Sequence, residues 1–242
     1  TPQDITVAKF PRLTGTPLKA AIGGDGSGGG EQWLLLTSTH LYAWGTMGSI
    51  LKSTFTSSAH FMKINQPIGG DTTGLPAGVT PSHVTMLFAT YLAVAIVTDS
   101  GFVYIMTQSD KSLQGDGSGS VTSTTWHKVK TNSSTYLTNV TAVRGQVSST
   151  TMGAFMATTS TGQTYAWGTS VFLGSGTGST VKNYATAMTL PSEFTGSNIP
   201  KMIGVTGGTG NSTTDSNTFY VLSDSGYLYA LGSNTEKQCG DF

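Results

Sequence analysis

A tyrosine returns along this chain at positions 42, 104, 165 and 229, at intervals of 62, 61 and 64 residues. Its surroundings return with it, as Leu41-Tyr42-Ala43-Trp44-Gly45, Val103-Tyr104-Ile105-Met106-Thr107, Thr164-Tyr165-Ala166-Trp167-Gly168 and Leu228-Tyr229-Ala230-Leu231-Gly232. Just upstream of each stands an apolar run that ends in a hydroxyl residue, at 34–37, 95–98, 156–159 and 220–223. Three of the connections between the two runs are Asp99-Ser100-Gly101, Ser160-Thr161-Gly162 and Asp224-Ser225-Gly226; the first copy has the shorter Ser38-Thr39-His40. Two β-rich runs joined by a tight, Gly-containing turn read as a hairpin, because Gly supplies the positive φ such turns require. Further upstream each unit holds another apolar stretch beside a Gly, at 18–24, 83–88, 140–145 and 201–208, and before that a fourth, at 5–13, 60–64, 125–129 and 184–190. No segment carries apolar residues at helical spacing over ten or more positions.

Four short strands per unit of about 60 residues, repeated, is the arrangement of β-propeller blades. A blade alone exposes two apolar faces, and stacking it between neighbours buries both. The expected fold is therefore all-β, one propeller segment over 1–242 with approximate blades at 1–55, 56–120, 121–180 and 181–242. A chain of 242 residues buries roughly 70–75% of its unfolded surface, so the core needs no covalent staples. The single Cys239 agrees, since one thiol cannot close an internal disulfide.

The pattern resembles the RCC1 (regulator of chromosome condensation) repeat: an apolar run, Thr or Ser, a Gly turn, an apolar residue, Tyr, a small residue, Trp and Gly, then a Gly-rich loop. Gly162-Gln163-Thr164-Tyr165-Ala166-Trp167-Gly168 followed by Leu173-Gly174-Ser175-Gly176 matches it best, and Leu113-Gln114-Gly115-Asp116-Gly117 and Gln238-Cys239-Gly240-Asp241 match the loop. Copy two departs with Met106-Thr107 in place of Trp-Gly. The resemblance implies about four blades of a ring of about seven, the remaining blades being a partner of this segment. Its long, low-complexity loops look most like those of secreted bacterial members.

Composition narrows the function. Lys+Arg and Asp+Glu number 12 each, and charged residues make up only 10% of the chain. Such a balance offers no electrostatic footprint for nucleic acid or an anionic membrane, and no apolar run approaches the length of a bilayer span. With 41 Thr, 28 Ser and 32 Gly, the composition is that of many secreted or cell-surface β-proteins.

The candidate residues mostly read as structure. The slot holding Trp44, Met106, Trp167 and Leu231 accepts any large apolar side chain, so it is a packing slot. Tyr42, Tyr104, Tyr165 and Tyr229 should bury their rings between blades and hydrogen-bond their hydroxyls. Trp33 and Trp126 have no counterpart in the repeat by letter and are the candidates for an exposed contact. Gly24-Asp25-Gly26-Ser27-Gly28-Gly29 matches a dinucleotide fingerprint by letter only, because a strand and not a helix follows it. Asp116 and Asp241 should cap turns, and Lys128 and Lys130 should occupy the solvent face of a strand. His40, His60, His83 and His127 stand at different phases of the repeat without metal spacing. Glu31, Glu193 and Glu236 are far apart. The Asn132, Asn139 and Asn211 sequons are close to the number the Ser and Thr content produces by chance and decide nothing. Neither catalytic residues nor a cofactor are implied. The expected function is a non-catalytic binding or structural module, secreted or at the cell surface, that presents loops to a protein or glycan. Inhibition of an extracellular enzyme comes second, and nucleotide exchange or chromatin binding, by fold analogy, third.

Overall fold

A computed structural model describes residues 13–24, 31–45, 58–63, 72–107, 112–119, 123–147, 153–176, 178–207, 217–234 and 237–240, with backbone alone at 58–63, 123 and 124. Most of the anticipated strand at 5–13, Asp241, Glu236 and Asn211 lie outside these residues. The described chain is all-β apart from one 3-10 turn at Pro81–His83. Three sheets have four antiparallel strands each, joined in sequence order. They are β1 (Pro17–Gly24), β2 (Glu31–Thr37), β3 (Leu41–Gly45) and β4 (Ser58–Lys63); β5 (Val84–Ala89), β6 (Ala93–Thr98), β7 (Val103–Thr107) and β8 (Ser123–Lys128); and β9 (Val140–Val147), β10 (Gly153–Thr159), β11 (Thr164–Val171) and β12 (Thr180–Ala187). The fourth sheet has three described strands, β13 (Pro200–Thr206), β14 (Thr218–Ser223) and β15 (Leu228–Gly232).

The repeated hydroxyl and Gly make the hairpins. At the β6–β7 turn Thr98 N donates to Phe102 O at 2.9 Å and Gly101 N to Thr98 O at 2.8 Å, with Gly101 at φ +75°. Gly162 and Gly226 repeat the geometry at φ +85° and +93°. The hydroxyl that ends each first run bonds a second hydroxyl two residues on: Thr37 with Thr39, Thr98 with Ser100, Thr159 with Thr161 and Ser223 with Ser225, at 2.9–3.2 Å. The same first hydroxyl also bonds turn backbone that would otherwise need water, accepting from His40 N, Phe102 N and Tyr227 N at Thr37, Thr98 and Ser223 and donating to Gln163 O at Thr159. The Gly that closes the Tyr pentapeptide is also forced. Gly168 sits at φ +113° and a Cβ there would lie 2.5 Å from Gly153 O. In copy two the backbone differs: Thr107 needs no positive φ and donates its hydroxyl to Leu92 O at 3.0 Å.

The sheets pack face to face. Residues alternate across each strand, so the middle strands supply two different interfaces. Leu34, Leu36, Leu41 and Ala43 of the first sheet meet Val94, Ile96 and Met106 of the second. The other face of the second sheet, Ala93, Ala95, Val97, Val103 and Ile105, meets Val143, Phe155, Ala157 and Trp167 of the third. Ala154, Met156, Ala166 and Val171 then meet Ile203, Phe219 and Val221 of the fourth. All six residues of β6 and all seven of β10 are buried. The first strands adjoin in succession, β1 with β5, β5 with β9 and β9 with β13, which sets them on the inner side and β4, β8 and β12 at the rim.

The blade boundaries need correction. Hydrogen bonding groups the sheets as 17–63, 84–128, 140–187 and 200–232, so the strands expected to open the second, third and fourth units close the first, second and third. A meander pairs each strand with the one before it, and the long loops ahead of β4, β8 and β12 hide that pairing in sequence.

The face-to-face packing makes equivalent positions unequal. Leu228 is 66% exposed, whereas Leu41, Val103 and Thr164, in the same register, are fully buried by the following sheet. L41K should cost on the order of 3 kcal/mol or more, because it buries an unpaired charge, while L228K should stay within about 0.5 kcal/mol. Urea unfolding of the two variants checks the contrast.

Candidate functional site

The four repeat tyrosines occupy one structural position. Tyr42 pairs with Leu35, Tyr104 with Ile96, Tyr165 with Ala157 and Tyr229 with Val221. Each points toward the preceding blade: Tyr104 packs on the first interface and Tyr165 on the second, while Tyr229 lies 4.9 Å from Phe194 at the third. Tyr42, with Trp44, faces the side of the first sheet where, among the described residues, Leu13 and Leu35 complete a small cluster. Its hydroxyl accepts from Thr14 N at 3.0 Å. The hydroxyls of Tyr104, Tyr165 and Tyr229 make no comparable bond among the described residues, so the expected hydrogen bonding holds for one of the four.

Trp33 does recur, as a slot. Register places it with Val94, Phe155 and Phe219, and its partners Trp44, Met106, Trp167 and Leu231 form the adjacent column. Trp33 stacks on Trp44 with centroids 5.7 Å apart, and Phe155 stacks on Trp167 at the same 5.7 Å. The repetition escapes the sequence because only size and apolarity are kept. Trp126 is fully buried, and its Nε1 donates to Gly74 O at 3.0 Å, so it is no exposed contact. Its uniqueness follows from volume. In the second blade the slots hold the smaller Val94 and Met106 and the rim strand supplies Trp126; in the third they hold Phe155 and Trp167 and the rim supplies Ala185. Close packing requires such compensation. Trp167 Nε1 donates to Leu113 O at 3.0 Å, so it too is core. Burial pushes the Cys239 thiol up, which leaves it a poor nucleophile.

A cleft of mixed polar and apolar character lies at the rim of the second blade. It holds about 290 Å³, with Asp116, His127, Lys128, Lys130, Tyr104 and Tyr136 lining it beside Pro76, Ala77 and Trp126. Its wall is built by register: Lys128 stands opposite Tyr104 across β7–β8, and Lys130 bridges Tyr136. The Lys128 ammonium sits 3.1 Å from the Phe102 ring centroid and 4.5 Å from that of Tyr136, and the Lys130 ammonium 5.7 Å from Tyr136. Lys128 is therefore no plain solvent-face residue. Its ammonium is partly desolvated against rings, and that burial lowers its pKa.

Asp116 caps its loop as expected, accepting from Ser118 N at 3.0 Å and from the Ser118 hydroxyl. It also pairs with His127 Nδ1 at 2.7 Å, a contact the sequence reading missed. Burial pushes the Asp116 carboxyl up, but the hydrogen bonds from His127 and Ser118 outweigh that and hold it well below the ordinary 3.8. A carboxylate with a depressed native pKa contributes stability that is present above its unfolded pKa and is lost as pH falls toward the native one. The fall in thermal midpoint between pH 6 and pH 3 should thus be smaller in D116N than in the native chain; an equal fall contradicts the role given to this pair.

Among the described residues no group of three His, Cys, Asp or Glu side chains could hold a metal ion, and no helix is long and apolar enough to cross a membrane. No protein-family model matches the chain, and no curated protein sequence matches it. Among solved structures it is similar to human WBSCR16, with 16% identity and a TM-score of 0.63 over 95% of this chain and 50% of that one. It is also similar to yeast RCC1 (Prp20), solved bound to Kap60, with 16% identity and a TM-score of 0.55 over 93% of this chain and 45% of that one. The chain spans about half the length of each. Sheet by sheet and in overall superposition, the chain has an RCC1-like β-propeller fold.

Proposed function

We propose that this chain is a non-catalytic binding module that recognises its ligand through the cleft at the rim of the second blade. The observation that carries the proposal is the cluster of Lys128, Lys130 and Tyr136 beside the Asp116–His127 pair, carried by the end of β8 and the segments next to it. Cations over exposed rings on a rigid scaffold favour binding over chemistry. A partner protein is favoured by the fold, since yeast RCC1 is solved bound to Kap60; a glycan is favoured by the cleft. The composition, rich in Thr, Ser and Gly and poor in charge, favours a secreted or cell-surface setting and an adhesion-type role.

Further blades are the second partner proposed. On the last sheet Met202, Tyr227 and Leu228 are exposed, and on the first Trp33 and Trp44 are half-buried, although the residues matching Leu228 and Trp33 in the other sheets are buried in the core. Apolar faces of this kind favour completion by additional blades.

Inhibition of an extracellular enzyme draws support only from the same surface. Exchange on a small GTPase, or chromatin binding, draws support only from the fold neighbours, and the charge balance supplies no basic tract for chromatin. An array of immobilised extracellular proteins, hydrolases and glycans, probed with the native chain and with K128A/K130A, separates these readings. Signals on one ligand class that the double variant loses, at unchanged thermal midpoint, are the expected result. Signals indifferent to both lysines, or turnover of an arrayed substrate, would overturn the proposal.

A further inference from the structure

The cleft's chemistry points to one class of ligand, and this step rests on the module reading above. Lys128 and Lys130 have no carboxylate partner among the described residues; their ammonium groups lie over Phe102 and Tyr136 instead. A partly desolvated ammonium without a counter-ion is under-compensated, and an incoming anion supplies what it lacks. Asp116 is the one described carboxylate in the lining, and both of its oxygens are engaged, by Ser118 and by His127. The cleft therefore combines two ammonium groups without a carboxylate partner and one carboxylate acceptor. Beside the lysines stands Tyr136, 44% exposed. Its ring is held edge to face against Phe102, with centroids 6.5 Å apart. A fixed, part-exposed aromatic ring with ammonium groups 4.5 and 5.7 Å from its centroid suits a ligand that joins an apolar surface to an acid group. The volume, about 290 Å³, lies at the lower edge of ligand-pocket sizes and admits a single ring rather than a dinucleotide.

We propose that this cleft binds a hexuronate unit of an acidic glycan, with the sugar ring on Tyr136, the carboxylate between Lys128 and Lys130, and a ring hydroxyl toward Asp116 and His127. Each element of that ligand answers one element of the wall. The C–H face of the sugar covers the part of the Tyr136 ring that stays exposed, the carboxylate replaces the missing counter-ion, and the hydroxyl meets Asp116 Oδ2, which takes one hydrogen bond from His127 and has a lone pair left.

The test is titration of the full 242-residue chain, by NMR and calorimetry, with sodium glucuronate, with glucose as the same ring lacking the acid, and with hexaglutamate as an acidic peptide. Glucuronate should bind at least about tenfold more tightly than glucose, the size of one charge-assisted contact, and should shift the amides of His127, Lys130 and Tyr136. Its affinity should fall with added salt. K130A and Y136A should each weaken glucuronate about fivefold or more at unchanged thermal midpoint. Equal affinity for glucuronate and glucose, or shifts unaffected by K130A, would overturn the assignment. Hexaglutamate shifting these amides while glucuronate is silent would overturn the saccharide but leave the binding module standing, with a protein ligand. Silence from all three probes overturns the saccharide assignment, and the module reading then stands or falls on the array.

Discussion

A blade of this fold has no side it can give to water. The middle strands are apolar on both faces, and β6 and β10 are buried at every residue. The hydrogen-bonded ladder satisfies the backbone of each sheet, but only a neighbouring sheet can cover the side chains. Face-to-face burial is thus the constraint from which the rest follows. It fixes which residues of β2, β6, β10 and β14 are large. It makes the repeat tyrosine look backward to the previous blade, and it places the polar chemistry at the rim and in the loops, where no blade covers it.

That constraint acts on volume, not on identity, which is why the chain keeps its fold while its letters drift. The two columns that face the preceding blade hold Trp33 and Trp44, Val94 and Met106, Phe155 and Trp167, and Phe219 and Leu231. Where the pair is small, Trp126 reaches in from the rim; where it is large, Ala185 takes that place. The turns are the opposite case. Their geometry tolerates few residues, so Gly101, Gly162 and Gly226 and the hydroxyl pairs beside them repeat almost unchanged. At 16% identity to its structural neighbours, the chain preserves the architecture through these two kinds of restraint.

The parts legible in the sequence were those set by local chemistry. The hairpins of the second and third strands stand where the Thr-turn-Gly-apolar-Tyr pattern placed them, and β1, β5, β9 and β13 fall within a few residues of the expected runs. The rim strands were found but assigned to the wrong blade, because nothing local tells a strand which neighbour it pairs with across a long loop. That misassignment also concealed the cleft. Lys128 lies directly opposite Tyr104 once β8 joins the sheet of β7, and only then do Phe102, Tyr136 and the two lysines come together. The register of β8 against the repeat tyrosine was the signal available. The Asp116–His127 pair had none: it joins a loop to a strand through tertiary packing alone.

Native-state hydrogen exchange tests the face-to-face packing most directly, because it separates the ladder from the burial of its faces. Strands β6 and β10, each enclosed by a blade on both sides, should show the slowest amides and exchange at the global unfolding limit. Strand β14 has equivalent ladder bonds, but among the described residues one of its faces, at Tyr220 and Leu222, is only half-buried, and it should exchange faster by an order of magnitude or more, corresponding to roughly 1.4 kcal/mol. Equal protection of β14 and β10 would mean that the sheets hold themselves together without their neighbours, and the stacking of blades would lose its place as the origin of the fold.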